Sequence, residues 1–291
     1  MECLACNSSS GLKNINKNLN LLCCEVCNAV FLEKEYHEQE SKYLQENSKI
    51  HQYISKFIHI PIENKIADFY LKYLKSKTFM KFENALDIGA GYDCFVKKLK
   101  DCEIKTDGIE YSKQKVNCAV VNNIKFKKFD ESYIFDQKFD LVCLTQILNY
   151  LRNTYEILES IEKKLNQNGS IFIATSNPES KYIIRDYSNA SEESYYANML
   201  YSKKNFEMAC KKIGLILKDY SVFREDIALD FANKNSVLTF IKYLLNLKKL
   251  FVPDPKGNFA SNSPPCRTRT RYSISSLLNE PMICPLLEIW L

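Results

Sequence analysis

From residue 83 to about 221 the chain alternates short apolar runs with amphipathic stretches, and no other feature constrains its fold as tightly. The runs NALDI, IKTDGIE, IKFKKF, FDLVCL, GSIFIAT and LILKDYSV are rich in branched and aromatic residues and read as strands. Between them, CFVKKLK, SKQKVNCAVV, TYEILESIEKKL and KKNFEMACKKIG carry apolar residues at helical spacing. Strands that alternate with helices need crossover connections, so the order predicts an α/β fold with a mostly parallel sheet and helices on both faces. Ligands of such sheets bind beyond the carboxyl ends of the strands. Function is therefore to be sought at the strand ends.

The segment before this alternation carries Cys3-x-x-Cys6 and Cys24-x-x-Cys27, two pairs with 17 residues between them. Each short knuckle puts two thiolates on one ion while the intervening loop closes a small ribbon, so Cys3, Cys6, Cys24 and Cys27 predict a tetrahedral zinc site. Cys23 competes with Cys24, although Cys23 to Cys27 makes a poorer knuckle, and a set of unliganded thiols is the alternative. Four protein ligands leave no open position, which makes the metal structural. Five of the twelve cysteines lie in the first thirty residues, which lack the apolar core and cleavage site of a signal peptide. A reducing, cytoplasmic setting is expected.

Composition is that of an ordinary globular protein, 46% hydrophobic and 26% charged. The net charge of +5 is mild and no long basic run with interleaved aromatics precedes the last forty residues, so no nucleic-acid partner is expected. The most lipid-like stretch, 237–252, contains three lysines and is shorter than the roughly 20 apolar residues of a membrane span. The chain divides into a zinc ribbon at 1–32, a helical connector at 33–80, an α/β domain at 81–252 and an irregular tail at 253–291 that holds most of the prolines. The connector contains all three histidines, His37, His51 and His59. Pro61 suits the first turn of a helix whose residues Ile62, Ile66, Phe69, Tyr70, Tyr73 and Leu74 share one face.

Asp87, Gly89 and Gly91 end the first strand of the α/β domain, and Glu110 ends the second, 23 residues after Asp87. A glycine turn followed at this distance by an acidic residue lets a nucleoside lie across the strand ends, with the carboxylate on the ribose hydroxyls. Asp93 stands where such a turn usually has its third glycine. A dinucleotide would lay its pyrophosphate against two carboxylates here, whereas the sulfonium and ammonium of S-adenosylmethionine suit an acidic turn. Equally, Asp93 is placed to cap the helix CFVKKLK.

With CLAC, CEVC, LDIGAGYDCF, GIEYS, KFDE, FDLVCLTQILNYL and NQNGSIFIATSNP, residues 3–221 resemble the class I S-adenosylmethionine-dependent methyltransferases. The likeness is to the bacterial group with an N-terminal zinc ribbon that is linked to sugar, surface-polysaccharide or natural-product pathways. It implies a Rossmann-like domain in which Asp87 addresses the methionine ammonium, Gly89 and Gly91 allow close backbone approach and Glu110 holds the ribose. Asp130 would lie near the adenine, and Thr145 and Gln146 would wall the methionine end. The resemblance implies methyl transfer to a small-molecule acceptor, such as a nucleotide-linked sugar or a polysaccharide precursor. The alternative is a weak or inactive methyltransferase-like interaction protein.

The chain departs from this family where a Glu-His pair commonly follows the fourth strand; it has Asn149 and Tyr150 instead, and Tyr150 is the candidate catalytic residue on the acceptor side. Residues 60–291 contain no histidine. Chemistry that relies on a histidine base is disfavoured unless His37, His51 or His59 folds over the pocket, while an amine or carboxylate acceptor needs mainly orientation. After the fifth strand, Tyr182, Tyr187, Tyr195, Tyr196 and Tyr201 suit stacking on a ring and Arg185 suits an anion. Packing is the competing role for each tyrosine.

Overall fold

The computed structural model describes residues 1–33, 56, 59–77, 82–120, 124–126, 137–151, 154–179, 198–225 and 282–290. All of these except Glu225 belong to one compact unit. Three short strands begin it, β1 (Leu12–Asn16), β2 (Leu21–Cys24) and β3 (Val30–Leu32), paired antiparallel in that order. Helix α1 (Ile60–Lys77) follows, with Pro61 in its first turn, where a missing N–H costs nothing. Ala67, Tyr70, Tyr73 and Leu74 are its buried face.

The α/β part then runs β4 (Asn84–Ile88), α2 (Cys94–Lys100), β5 (Lys105–Glu110), α3 (Lys113–Asn117), β6 (Ile124–Phe126) and β7 (Phe139–Thr145). It continues with α4 (Thr154–Glu162), β8 (Leu165–Ala174), β9 (Met199–Leu200), α5 (Lys203–Ile213), β10 (Ile216–Glu225) and β11 (Met282–Trp290). Seven strands form one sheet in the order β10-β11-β8-β7-β4-β5-β6. The pairs β4 with β5, β4 with β7, β5 with β6 and β7 with β8 are parallel. Successive strands move outward from β4 in one direction and from β7 in the other, so a crevice opens between these two at their carboxyl ends.

The alternation of side chains along each strand divides the interior into two cores. Leu86, Ile88, Val142, Leu144, Ile171 and Ile173 meet Ile157 and Leu158 of α4 and Phe206 of α5. Ala85, Leu141, Cys143, Phe172 and Ala174 meet α1 and α2 through Tyr70, Leu74, Phe95 and Leu99. This is the Rossmann-like, mostly parallel sheet with helices on both faces that the alternation predicts.

The expectation of an irregular tail fails for Met282–Trp290. These residues form β11, which pairs antiparallel with β8 from Leu286↔Ala174 to Trp290↔Ser170 and separates β8 from β10. Its sequence, MICPLLEIW, hides the strand behind a proline, and its partner lies more than a hundred residues earlier. The stretch 237–252 and the sequences around Tyr182, Arg185, Tyr187, Tyr195 and Tyr196 lie outside the described residues, as do His37, His51 and Asp130. Among the described residues no helix is long and apolar enough to cross a membrane.

A chain ending at residue 281 lacks β11 and leaves the edges of β8 and β10 unpaired. Its melting temperature should fall by at least about 5 °C and its light scattering should rise on heating. Equal melting of the two forms would contradict the place given to β11.

Candidate active site

At the carboxyl ends of β4, β5 and β7 lies a cavity of about 650 Å³. Asp87, Gly89, Gly91, Glu110, Thr145, Gln146 and Tyr150, seven residues singled out in the sequence, all line it. Asp87 is its most constrained group. The side chain is 1% exposed, and among the described residues neither carboxylate oxygen has a hydrogen-bond partner. Burial, followed by the negative charges of Glu110, Glu63 and Asp93, raises its pKa well above the ordinary carboxylate range. A buried carboxylate without donors fits a cationic group that brings its own N–H bonds.

The glycine turn that follows is built for close approach. Gly89 and Gly91 have φ of 77° and 59°, in the left-handed region. A Cβ on Gly89 would stand 3.0 Å from the Ile147 side chain, and one on Gly91 would stand 2.9 Å from Glu63 Oε2. Glu110 ties the turn to β5: its Oε2 accepts the Gly91 N–H at 2.8 Å and its Oε1 accepts the Ser112 N–H at 2.9 Å. Each of these oxygens retains a second lone pair for a ligand hydroxyl.

Asp93 adds to the negative charge around Asp87 without lining the cavity. It is buried, stands at the N-cap of α2 with φ 58° and makes no side-chain cap. Its Oδ1 instead accepts the Val120 N–H at 2.7 Å, and it is not among the cavity-lining residues. Aspartate tolerates left-handed backbone better than most residues, so it can replace the usual glycine there. The acidic residues that line the cavity are Asp87, Glu110 and one that sequence reasoning missed, Glu63 of α1. Glu63 accepts the Tyr92 N–H at 3.1 Å, and burial raises its pKa. No spacing signal marked it, because α1 precedes the glycine turn and reaches it only through tertiary packing.

Lys115, also unforeseen, lines the same cavity. Burial opposes its charge, but Glu110 and Glu63 override that effect and its pKa is raised. On the far wall, Gln146 has φ 56°; its N–H donates to Ala174 O at 2.7 Å and its Nε2 to the Tyr70 hydroxyl at 3.4 Å. A 3-10 turn, Leu148–Tyr150, then brings the half-exposed Tyr150 to the rim, while Asn149 is buried and does not line the cavity. His59 lines the cavity as well, its ring stacked on Tyr92 with centroids 6.1 Å apart. Tyr201 is core material: it is 4% exposed and packs on Phe206 at 5.7 Å.

The cysteine cluster is a separate site. The Sγ atoms of Cys3, Cys6, Cys24 and Cys27 lie within 4.8 Å of one another. Cys3 to Cys27 is 3.6 Å and Cys6 to Cys24 is 3.7 Å. Four thiolates about 2.3 Å from a zinc ion would be about 3.8 Å apart, so the set fits that ion. Cys23 is outside the set. Its sheet does not end with the ribbon: β9 pairs with β3 as a fourth strand, Ser202 Oγ donates to Cys27 O at 2.6 Å, and Phe31 joins the core that contains Leu148 and Phe206.

Residues 58–218 match the model of the methyltransferase domain family. The chain belongs to that family and is a methyltransferase. No curated protein matches it. Among solved structures, it is similar to the complex between the Haloferax volcanii Trm112 methyltransferase activator and the putative methyltransferase, with a TM-score of 0.50 and 15% identity over 84% of this chain and 99% of that one. It is also similar to a SAM-dependent methyltransferase from Archaeoglobus fulgidus, with a TM-score of 0.48 and 15% identity over 84% of this chain and 99% of that one. At this identity the first likeness speaks to the fold alone.

Two outcomes are expected. Metal analysis of purified protein should find about one zinc per chain; a metal-free, fully folded preparation would remove the metal assignment. A carboxyl whose folded pKa is raised stabilises the protein below its unfolded value near 3.9, and that stabilisation is lost as pH rises through the folded pKa. The melting temperature of the ligand-free protein should therefore fall more steeply as pH rises above the unfolded value than that of Asp87→Asn, and parallel curves would contradict the buried, unpaired state of Asp87.

Proposed function

We propose that the cavity holds S-adenosylmethionine across the ends of β4 and β5 and that the methyl group passes to a small molecule entering beside Tyr150. The observation that carries this reading is the Asp87 carboxylate, buried at the end of β4 and without a donor among the described residues. It would receive the methionine ammonium. Gly89 and Gly91 let the backbone approach the methionine and ribose, Glu110 takes the ribose hydroxyls with its remaining lone pairs, and Thr145 and Gln146 close the methionine end. The unexpected Glu63 adds negative charge above the turn, in the place the sequence suggested for Asp93. A diphosphate would meet three carboxylates in this cavity, which favours a cationic cofactor over a dinucleotide.

The bound cofactor supplies an electrophilic methyl group; the chain supplies orientation and, for some acceptors, a place for a proton. His59 meets the condition under which a hydroxyl acceptor returns to consideration, because it lines the cavity and its ring is held by Tyr92. Tyr150 at the rim would stack on or bond to the acceptor. A nucleotide-linked sugar or polysaccharide precursor is the acceptor class proposed here, and it rests on the family resemblance together with this open, polar rim. The cysteine set would hold structural zinc.

The cation should draw the proton off Asp87, so cofactor binding should release protons at pH values where Asp87 is otherwise protonated. Titration calorimetry in two buffers of different ionisation enthalpy measures this directly. Asp87→Ala should weaken binding by more than about tenfold with its fold intact, since a hydrogen-bonded charge is lost. Mass spectrometry with a panel of sugar nucleotides then tests the acceptor. Binding without turnover across the panel would eliminate the proposed acceptor class, and unchanged affinity in Asp87→Ala would eliminate the cofactor pose.

A further inference from the structure

Three consecutive carbonyls at the rim of the cavity are taken by one short segment. The Asn198 N–H donates to Asn149 O at 2.7 Å, Asn198 Nδ2 to Tyr150 O at 2.9 Å, and the Tyr201 hydroxyl to Leu151 O at 3.3 Å. These carbonyls end a 3-10 turn, where no partner remains within the turn. The turn has its own bonds from Tyr150 N–H to Ile147 O at 3.0 Å and from Leu151 N–H to Leu148 O at 3.1 Å. A three-residue turn with two such bonds is poorly determined by itself, because 3-10 geometry is weak in short pieces.

On its other side the same segment is bound to the ribbon. The Leu32 N–H donates to Asn198 O at 3.1 Å, Met199 and Leu200 pair with Phe31 and Val30, and Ser202 Oγ donates to Cys27 O at 2.6 Å. Asn198 is 4% exposed and Ser202 is fully buried, so water does not compete for these bonds. Cys27 belongs to the cysteine set, whose knuckles a metal bound among the four thiolates would hold together.

We infer that residues 198–202 form a strap through which the metal-bound knuckle of the ribbon fixes the Leu148–Tyr150 turn, with Asn198 as the positioning residue for Tyr150. The zinc site then sets the shape of the cavity rim from the far side of the strap as well as holding the ribbon together. This rests on the reading of Tyr150 as the acceptor-side wall and deepens it. The strap itself is defined without reference to any cofactor.

Amide hydrogen exchange of the full-length, zinc-loaded protein tests it, read at the Tyr150 and Leu151 amides. Asn198→Asp keeps the backbone bonds of β9 but sets a carboxylate oxygen against the Tyr150 carbonyl. Exchange at both amides should accelerate about tenfold, while the Gly89 and Gly91 amides and the affinity for S-adenosylhomocysteine change by no more than about threefold. Chelating zinc from the unaltered protein should accelerate the same two amides, and chelating it from Asn198→Asp should add little more, because both act through one strap. Tyr201→Phe, which retains the packing on Phe206, should give a smaller acceleration. Unchanged exchange at Tyr150 and Leu151 in zinc-loaded Asn198→Asp overturns the inference, as does acceleration spread evenly over the sheet or full additivity of the two perturbations. Failure of the unaltered protein to bind S-adenosylhomocysteine would instead refute the cofactor reading, and the exchange comparison would stand apart from it.

Discussion

A parallel sheet must be covered on both faces, and the helices that cover this one decide where a ligand can enter. Residues of β4, β7 and β8 send alternate side chains into two cores, one beneath α1 and α2 and the other beneath α4 and α5. Because neighbours diverge from β4 and β7, the helices above these strand ends part. Asp87 stands at that parting, buried from water and without a hydrogen-bond partner among the described residues. The sheet's geometry thus places one ionisable group under strong constraint, and the chemistry of the cavity follows from it.

Much of this was legible in the sequence because its cause is local. The unbroken apolar runs LVCL and IFIA, the period near 3.6 in the intervening stretches and the knuckle spacing of the cysteines are written within short windows. The glycines at 89 and 91 and the acid at 110 announce a turn and its partner strand for the same reason. Glu63, Lys115 and Asn198 were not legible, since each acquires its role by packing against residues distant in the chain. β11 was hidden too: Pro285 within a run of nine residues argues against a strand, and only the unpaired edge of β8 gives that run a place.

Asp93 shows how a residue can act on a site through its charge without lining it. An acidic environment favours a cationic ligand, and the cavity is acidic; Asp93 Oδ1 accepts the Val120 N–H from a left-handed turn, while its charge still helps raise the Asp87 pKa. Glu63, arriving from α1, supplies what the turn itself does not. Tyr201 teaches the same lesson in reverse, since an aromatic residue in a polar stretch proved to be packing.

The place of β11 has a consequence for how the chain assembles. β10 occupies the edge of the sheet and joins it through β11, which is made 57 residues later. During synthesis, therefore, one side of the sheet stops growing at β8 while β10 waits outside it. Such a late, long-range insertion is slow by its topology, and it exposes two ladder edges to other nascent chains in the interval.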